Sequence, residues 1–150
     1  MPVTPTILRP LAFVLGAATA TGGGAAQSDT AAALFRPLDS ATPNLDVYRW
    51  DKRVVLLFAE DDLDPTLATA RARLAAAAAG LAERDIVVLT DTNPGAGGAI
   101  RSGLGVGGFA MVLVGKDGTV KLNRSAFIDV DELFGVIDAM PMRRREMQDG

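Results

Sequence analysis

Glu60, Asp61, Asp62 and Asp64 crowd the short stretch between an apolar run and Pro65, and Asp91 closes a second apolar run. If the two runs are neighbouring parallel strands, Asp61, Asp62 and Asp91 stand at adjacent strand ends. Carboxylate oxygens there could gather a hard cation such as Ca²⁺. The same residues also have a plainer use. Acidic side chains ahead of a helix accept hydrogen bonds from its free N–H groups and lie well against its positive end. A hard cation usually takes about six to eight oxygens, more than these residues place. The helix-start reading is therefore preferred, and no catalytic residue, metal or cofactor is assigned.

Arg143, Arg144 and Arg145 form the sharpest charge run. With Lys116, Lys121 and Arg124 they could present a basic face to an anionic polymer or protein partner, a role that suits the guanidinium fork. Basic residues at a helix end are also favourable in themselves. The segment GLGVGG carries G-x-G-x-x-G at Gly103, Gly105 and Gly108. A dinucleotide site needs that motif after a strand and opening a helix; here it follows a weak helix and opens a strand. Gly95 to Gly98, GAGG, lacks the Lys-Ser/Thr of a phosphate loop.

Absent residues narrow the chemistry further. The chain has no Cys and no His. That excludes disulfides, thiolate nucleophiles, Ser-His-Asp and Cys-His catalysis. A net charge of -3 argues against nucleic-acid binding. The 150 residues suit one domain, with 49% hydrophobic but only 5% aromatic residues, so the core is aliphatic.

Arg9, the apolar stretch Leu11 to Ala18 and the small residues after it follow the order of an export signal, with cleavage after Ala20 or Ala26. Residues 1–26 are thus expected to be a signal peptide, 27–47 a linker or lead-in, and 48–147 the domain. The apolar stretch is too short to span a bilayer of ~30 Å. The expected location is a periplasm or the extracellular space, without stable membrane insertion.

The elements that must position these groups are legible. Residues 53–59 are a continuous apolar run, the mark of a strand covered on both faces. A helix is expected over about 65–84, with Asp64 as N-cap, Pro65 at its first position and Leu67, Leu74 and Leu81 on one stripe. Gly80 inside it is a mild cost. Asp85 to Asp91 is a second buried strand, parallel to the first. Ala99 to Leu104 is a short helix and Gly108 to Gly115 a third strand. A Lys116-Asp117-Gly118 turn leads to an antiparallel strand, Thr119 to Asn123. A final helix opens with a capping box, Asp129 and Glu132, and Pro141 stops it or begins another turn. Trp50 is expected to lie over an edge of the core.

The order β-α-β-α-β-β-α resembles the thioredoxin fold, a four-stranded mixed sheet of spatial order 2-1-3-4 flanked by helices. VVLLFAEDDLDP resembles the strand that in thioredoxins runs into the Cys-x-x-Cys turn, with Asp62 and Pro65 at the cysteine positions. Gly107 or Gly108 stands where a thioredoxin has its cis-proline. YRWDKRVVLLFA, LAERDIVVL, GGFAMVLVGKDGTVKLNRS and IDAMPMRRREM are similar to a family known as domain of unknown function 4174 (DUF4174). The resemblance implies a thioredoxin-like fold without the cysteine site in an exported, often bacterial, protein. The expected function is a non-catalytic binding or interaction module. The alternative is a carboxylate- or metal-dependent enzyme handling peroxide or redox stress through Asp61, Asp62 and Asp91.

Overall fold

A computed structural model describes residues 32–150; the expected signal peptide lies outside the described residues. The elements are β1 (Phe35–Pro37), β2 (Arg53–Phe58), α1 (Pro65–Ala76), α2 (Ala78–Glu83), β3 (Ile86–Asp91), α3 (Ala99–Leu104), β4 (Ala110–Val114), β5 (Val120–Arg124), α4 (Val130–Asp138) and α5 (Pro141–Asp149). Single 3-10 turns occupy Asp46–Tyr48 and Pro94–Ala96.

Every residue of β2, β3 and β4 is buried, as continuous apolar runs require when both faces are covered. The central β2 pairs in parallel with β3, from Arg53 opposite Ile86 to Phe58 opposite Asp91. On its other side it pairs antiparallel with β4, Val54 opposite Val114 and Phe58 opposite Ala110. The hairpin to β5 turns at Gly118, whose φ of 81° is the left-handed conformation glycine tolerates.

The sheet has five strands, in the order β1-β3-β2-β4-β5, where four were expected. The order of the four expected strands is as read. The addition is β1, which pairs in parallel with β3 and comes from the stretch expected to be linker. Three residues are too few to show a strand period, and Pro37 argues against an interior strand. At a sheet edge Pro is tolerated, and Leu34 beside it is buried.

Two cores lie on the two faces of the sheet. On one, Val55, Leu57, Val88 and Leu113 pack against Leu67 and Leu74 of α1, Leu81 of α2, and Leu133 and Ile137 of α4. Each fully buried leucine there is worth about 1.5–3 kcal/mol. The leucine stripe is thus as expected, but the helix carrying it is not continuous. It breaks at Ala77 (φ -101°, ψ 18°), although alanine is the best helix former. Local propensity does not mark the break. Gly80 is more than a mild cost: a Cβ there would lie 2.6 Å from Phe134 Cε2, so its absence makes room for the ring.

On the opposite face, Val54, Leu56, Phe58, Val87, Leu89 and Val112 meet a thinner cover. Leu38 and Leu45 come from the lead-in, Tyr48 from the first residue after it, and Ile100, Leu104 and Val106 from α3 and its exit.

Two further expectations are corrected. Trp50 is 62% exposed with φ 66°. Its amide donates to the Lys116 carbonyl at 2.6 Å in the bend that feeds β2, and this left-handed bend turns the ring outward. The capping box of α4 does not form. Asp129 makes no side-chain cap bond; it accepts instead from Arg73 at 3.4 Å, and Glu132 accepts from Arg124 at 2.8 Å. Full guanidinium charges draw the carboxylates away from backbone amides.

Candidate functional site

In an open α/β sheet the crevice beyond the carboxyl ends of the strands is where ligands usually bind. Here β2 ends at Phe58 and β3 at Asp91. The space between them is filled by one side chain, Arg101 of α3. Arg101 Nε donates to Asp91 Oδ2 at 3.1 Å, and its Nη2 donates to the carbonyls of Ala59 at 2.7 Å and Asp91 at 2.9 Å. The guanidinium also lies 5.3 Å from the centre of the Phe58 ring. The second Asp91 oxygen accepts from Asn93 N at 2.9 Å. Every oxygen at the strand ends that faces Arg101 is therefore satisfied, as burial demands.

The acidic loop does not converge on this point. Asp61 Oδ1 accepts from Leu63 N at 2.8 Å. Asp62 lies 3.6 Å from Arg71. Asp64 caps α1, as expected, accepting from Thr66 N at 2.8 Å and Leu67 N at 3.1 Å. Asp61, Asp62 and Asp91 are thus each committed elsewhere. No group of three or more His, Cys, Asp or Glu side chains is placed to hold an ion among the described residues. Reading Asp91 as an open strand-end carboxylate overlooked Arg101. Its signal in the sequence was a lone arginine inside an otherwise apolar and small segment, AIRSGL.

The expected basic face is also dispersed. Arg143 is buried, donating to Glu83 Oε1 at 2.7 Å, the Glu83 carbonyl at 3.1 Å and Asp138 at 3.3 Å. Lys116 donates to Asp85 at 2.8 Å and Glu146 at 2.7 Å. Lys121 pairs with Asp117 and Arg124 with Glu132. Arg144 and Arg145 are exposed. Arg143 faces inward because α5 must dock on the sheet end. There Glu146 also receives both Nη atoms of the buried Arg53 at 3.2 Å. Burial would push the Glu146 carboxyl up, but the bonds from Lys116 and Arg53 outweigh it and hold the group below its usual value. Arg84 and Arg143 hold Asp138 low against a smaller opposing effect of burial.

A third feature was not read from the sequence. On the thinly covered sheet face a groove of about 300 Å³ opens between α3, the Asp46–Tyr48 turn and the β4–β5 hairpin. Val54, Leu56 and Val114 floor it, and Tyr48, Ile100 and Leu104 form its walls. Arg49 and Lys52 stand at its rim, with one carboxylate, Asp46, beside them.

The five-stranded mixed sheet, flanked by helices and with the carboxyl-end crevice closed by a salt bridge, is a thioredoxin-like domain. Residues 44–146 match the family described as "Domain of unknown function (DUF4174)", and the chain belongs to it. Among solved structures the chain is similar to the crystal structure of the reduced 2-Cys peroxiredoxin of Plasmodium vivax. The TM-score is 0.53 at 19% identity, over 67% of this chain and 84% of that one. This likeness shows the fold alone. No curated protein matches the chain.

Proposed function

We propose that this is an exported, non-catalytic thioredoxin-like domain that acts by binding. The carrying observation is the Arg101–Asp91 pair. At the strand ends, where the fold offers a reactive group to solvent, this chain buries an arginine and satisfies its partners internally. The peroxiredoxin neighbour is named for two cysteines, and this chain has none, so thiol-based peroxide chemistry does not transfer. Export rests on the order of Arg9, the apolar stretch and the small residues that follow. N-terminal sequencing of the native protein checks it, a chain beginning near Ala20 or Ala26 being expected and an intact Met1 overturning it.

Peroxide consumption by the purified protein, with and without added divalent ions, tests the non-catalytic reading. No turnover above buffer is expected. A metal-dependent rate lost in Asp61→Asn or Asp62→Asn would overturn the reading in favour of a carboxylate enzyme. A thermal-shift screen gives an independent readout, because a specific ion stabilises the fold that binds it.

A further inference from the structure

We propose that the groove on the thinly covered sheet face binds a small aliphatic molecule ending in one carboxylate, its chain on the apolar floor and its anionic end on Arg49. The inference rests on the reading of the domain as a binding module.

The shape and lining set the ligand's body. A pocket for a small molecule is concave and mostly apolar, with a few polar groups that fix orientation. Val54, Leu56 and Val114 belong to central strands and cannot retreat, so the floor is rigid and aliphatic. The walls, Tyr48, Ile100 and Leu104, are only partly buried. Apolar surface left open this way gains by taking up an apolar ligand. The volume of about 300 Å³ corresponds to about ten water volumes of ~30 Å³ each. That is room for a chain of about ten heavy atoms, too little for a folded partner.

The rim sets the ligand's charge: Arg49 and Lys52 outnumber the one carboxylate there, Asp46, which makes no ion pair within 4 Å among the described residues. Arg53, Arg84, Arg101, Arg124 and Arg143 all bind carboxylates of this chain within 3.4 Å. Arg49 has no such partner among the described residues. Its guanidinium instead lies 5.6 Å from the centre of the Trp50 ring, and its side chain runs over Gly118. The planar fork is thus held at the groove's mouth with its donors unused, a good acceptor site for a carboxylate. Lys52, also on the rim, adds positive charge but is spoken for in part by Asp85 at 3.9 Å. The backbone supports the same placement. Trp50 is held at positive φ and exposed, and strain of this kind concentrates at ligand-binding positions.

Trp50 is the only tryptophan, so its emission reports on Arg49 directly. The full-length mature chain is titrated with octanoate, with octan-1-ol as the neutral probe, and calorimetry provides a second readout. Saturable octanoate binding is expected, at least tenfold tighter than octan-1-ol. Arg49→Gln should remove that difference. Gly103→Leu should abolish binding of both, because a Cβ at Gly103 meets nothing within 4 Å and the side chain can fill the groove without disturbing the fold. Absence of saturable binding overturns the proposal, as does equal affinity for the two probes. Octanoate binding that survives in Gly103→Leu with unchanged affinity places the ligand elsewhere and also overturns it. The peroxide assay reads the non-catalytic proposal separately, so the two can fail independently.

Discussion

Arg101 reaches from α3 to Asp91 at the end of β3, 3.1 Å from Nε to Oδ2, and both side chains are 6% exposed. A buried pair is a poor source of net stability but is costly to break from one side, by about 3–5 kcal/mol, because the survivor keeps an unpaired charge. Arg101→Met is expected to cost that much in urea unfolding. Asp91→Asn combined with Arg101→Met removes the stranded carboxylate and should recover a large part of the loss. Additive losses in the double variant would show that the two residues act separately.

The three consecutive arginines are expected to differ sharply. Arg144→Ser and Arg145→Ser, both at exposed positions, should change stability by less than ~0.5 kcal/mol. Arg143 is 6% exposed, but when it is removed Glu83, 65% exposed, returns to water, while Asp138 keeps Arg84 and Glu146 keeps Arg53 and Lys116. Arg143→Ser should therefore cost about 2 kcal/mol, less than Arg101→Met. Urea unfolding of the single variants reads this order.

At Gly80 two effects oppose. Alanine raises helix propensity by about 1 kcal/mol, but its Cβ would press within 2.6 Å of Phe134. Arg84 lies 4.0 Å from the centre of that ring and its Nη1 is 3.4 Å from the same Cβ position, which leaves the ring little room to move. Overpacking costs about 1–3 kcal/mol, so Gly80→Ala is expected to be net destabilising. Adding Phe134→Leu should relieve the clash, and thermal melts of both variants decide it.

Acid should weaken the fold through α5 and the hairpin. Hydrogen bonds, above all from Thr119 N, lower Asp117 from 3.8 to about 2. Asp138 and Glu146 are lowered from 3.8 and 4.5. A group depressed in the folded state stabilises above its unfolded value and loses that contribution as pH falls through its folded value. Stability should therefore be flat down to about pH 5 and fall from there towards pH 2. Glu146→Gln should make that acid slope shallower. Lys116 behaves oppositely. Burial lowers it, but bonds to Asp85 and Glu146 raise it above 10.5 overall, so its contribution is complete below that value and lost as pH rises past it. Chemical denaturation across pH, wild type against Glu146→Gln, measures the difference.

Trp50→Gly should stabilise the isolated domain by about 1 kcal/mol. A non-glycine residue in the left-handed region costs roughly 1–2 kcal/mol, and the ring is too exposed to return much by burial. A melt at lower temperature than wild type would mean that the ring packs more than its exposure implies.

By itself the sequence determined the parts whose cause is local. Continuous apolar runs marked β2, β3 and β4 because a strand covered on both faces has no polar period. Asp64 and Pro65 marked the start of α1, and Lys116-Asp117-Gly118 the hairpin, because caps and turns act over a few residues. The order of elements and the stretches quoted for DUF4174 carried the family. What the tertiary structure decided is where charges end up and which residues close the edges. Arg143, Arg144 and Arg145 look alike in sequence, but only docking of α5 separates the buried one from its neighbours. Asp129 and Glu132 satisfied every local rule for a capping box, yet Arg73, 56 residues away, and Arg124, on the neighbouring strand, took the two carboxylates. Phe35–Pro37 became a strand only because β3 offered an unpaired edge. The groove arises where three separated segments stop short of one another over a sheet face. Partners of this kind are chosen by proximity in space and by the cost of burying unpaired polar groups, neither of which has a signature in residue spacing.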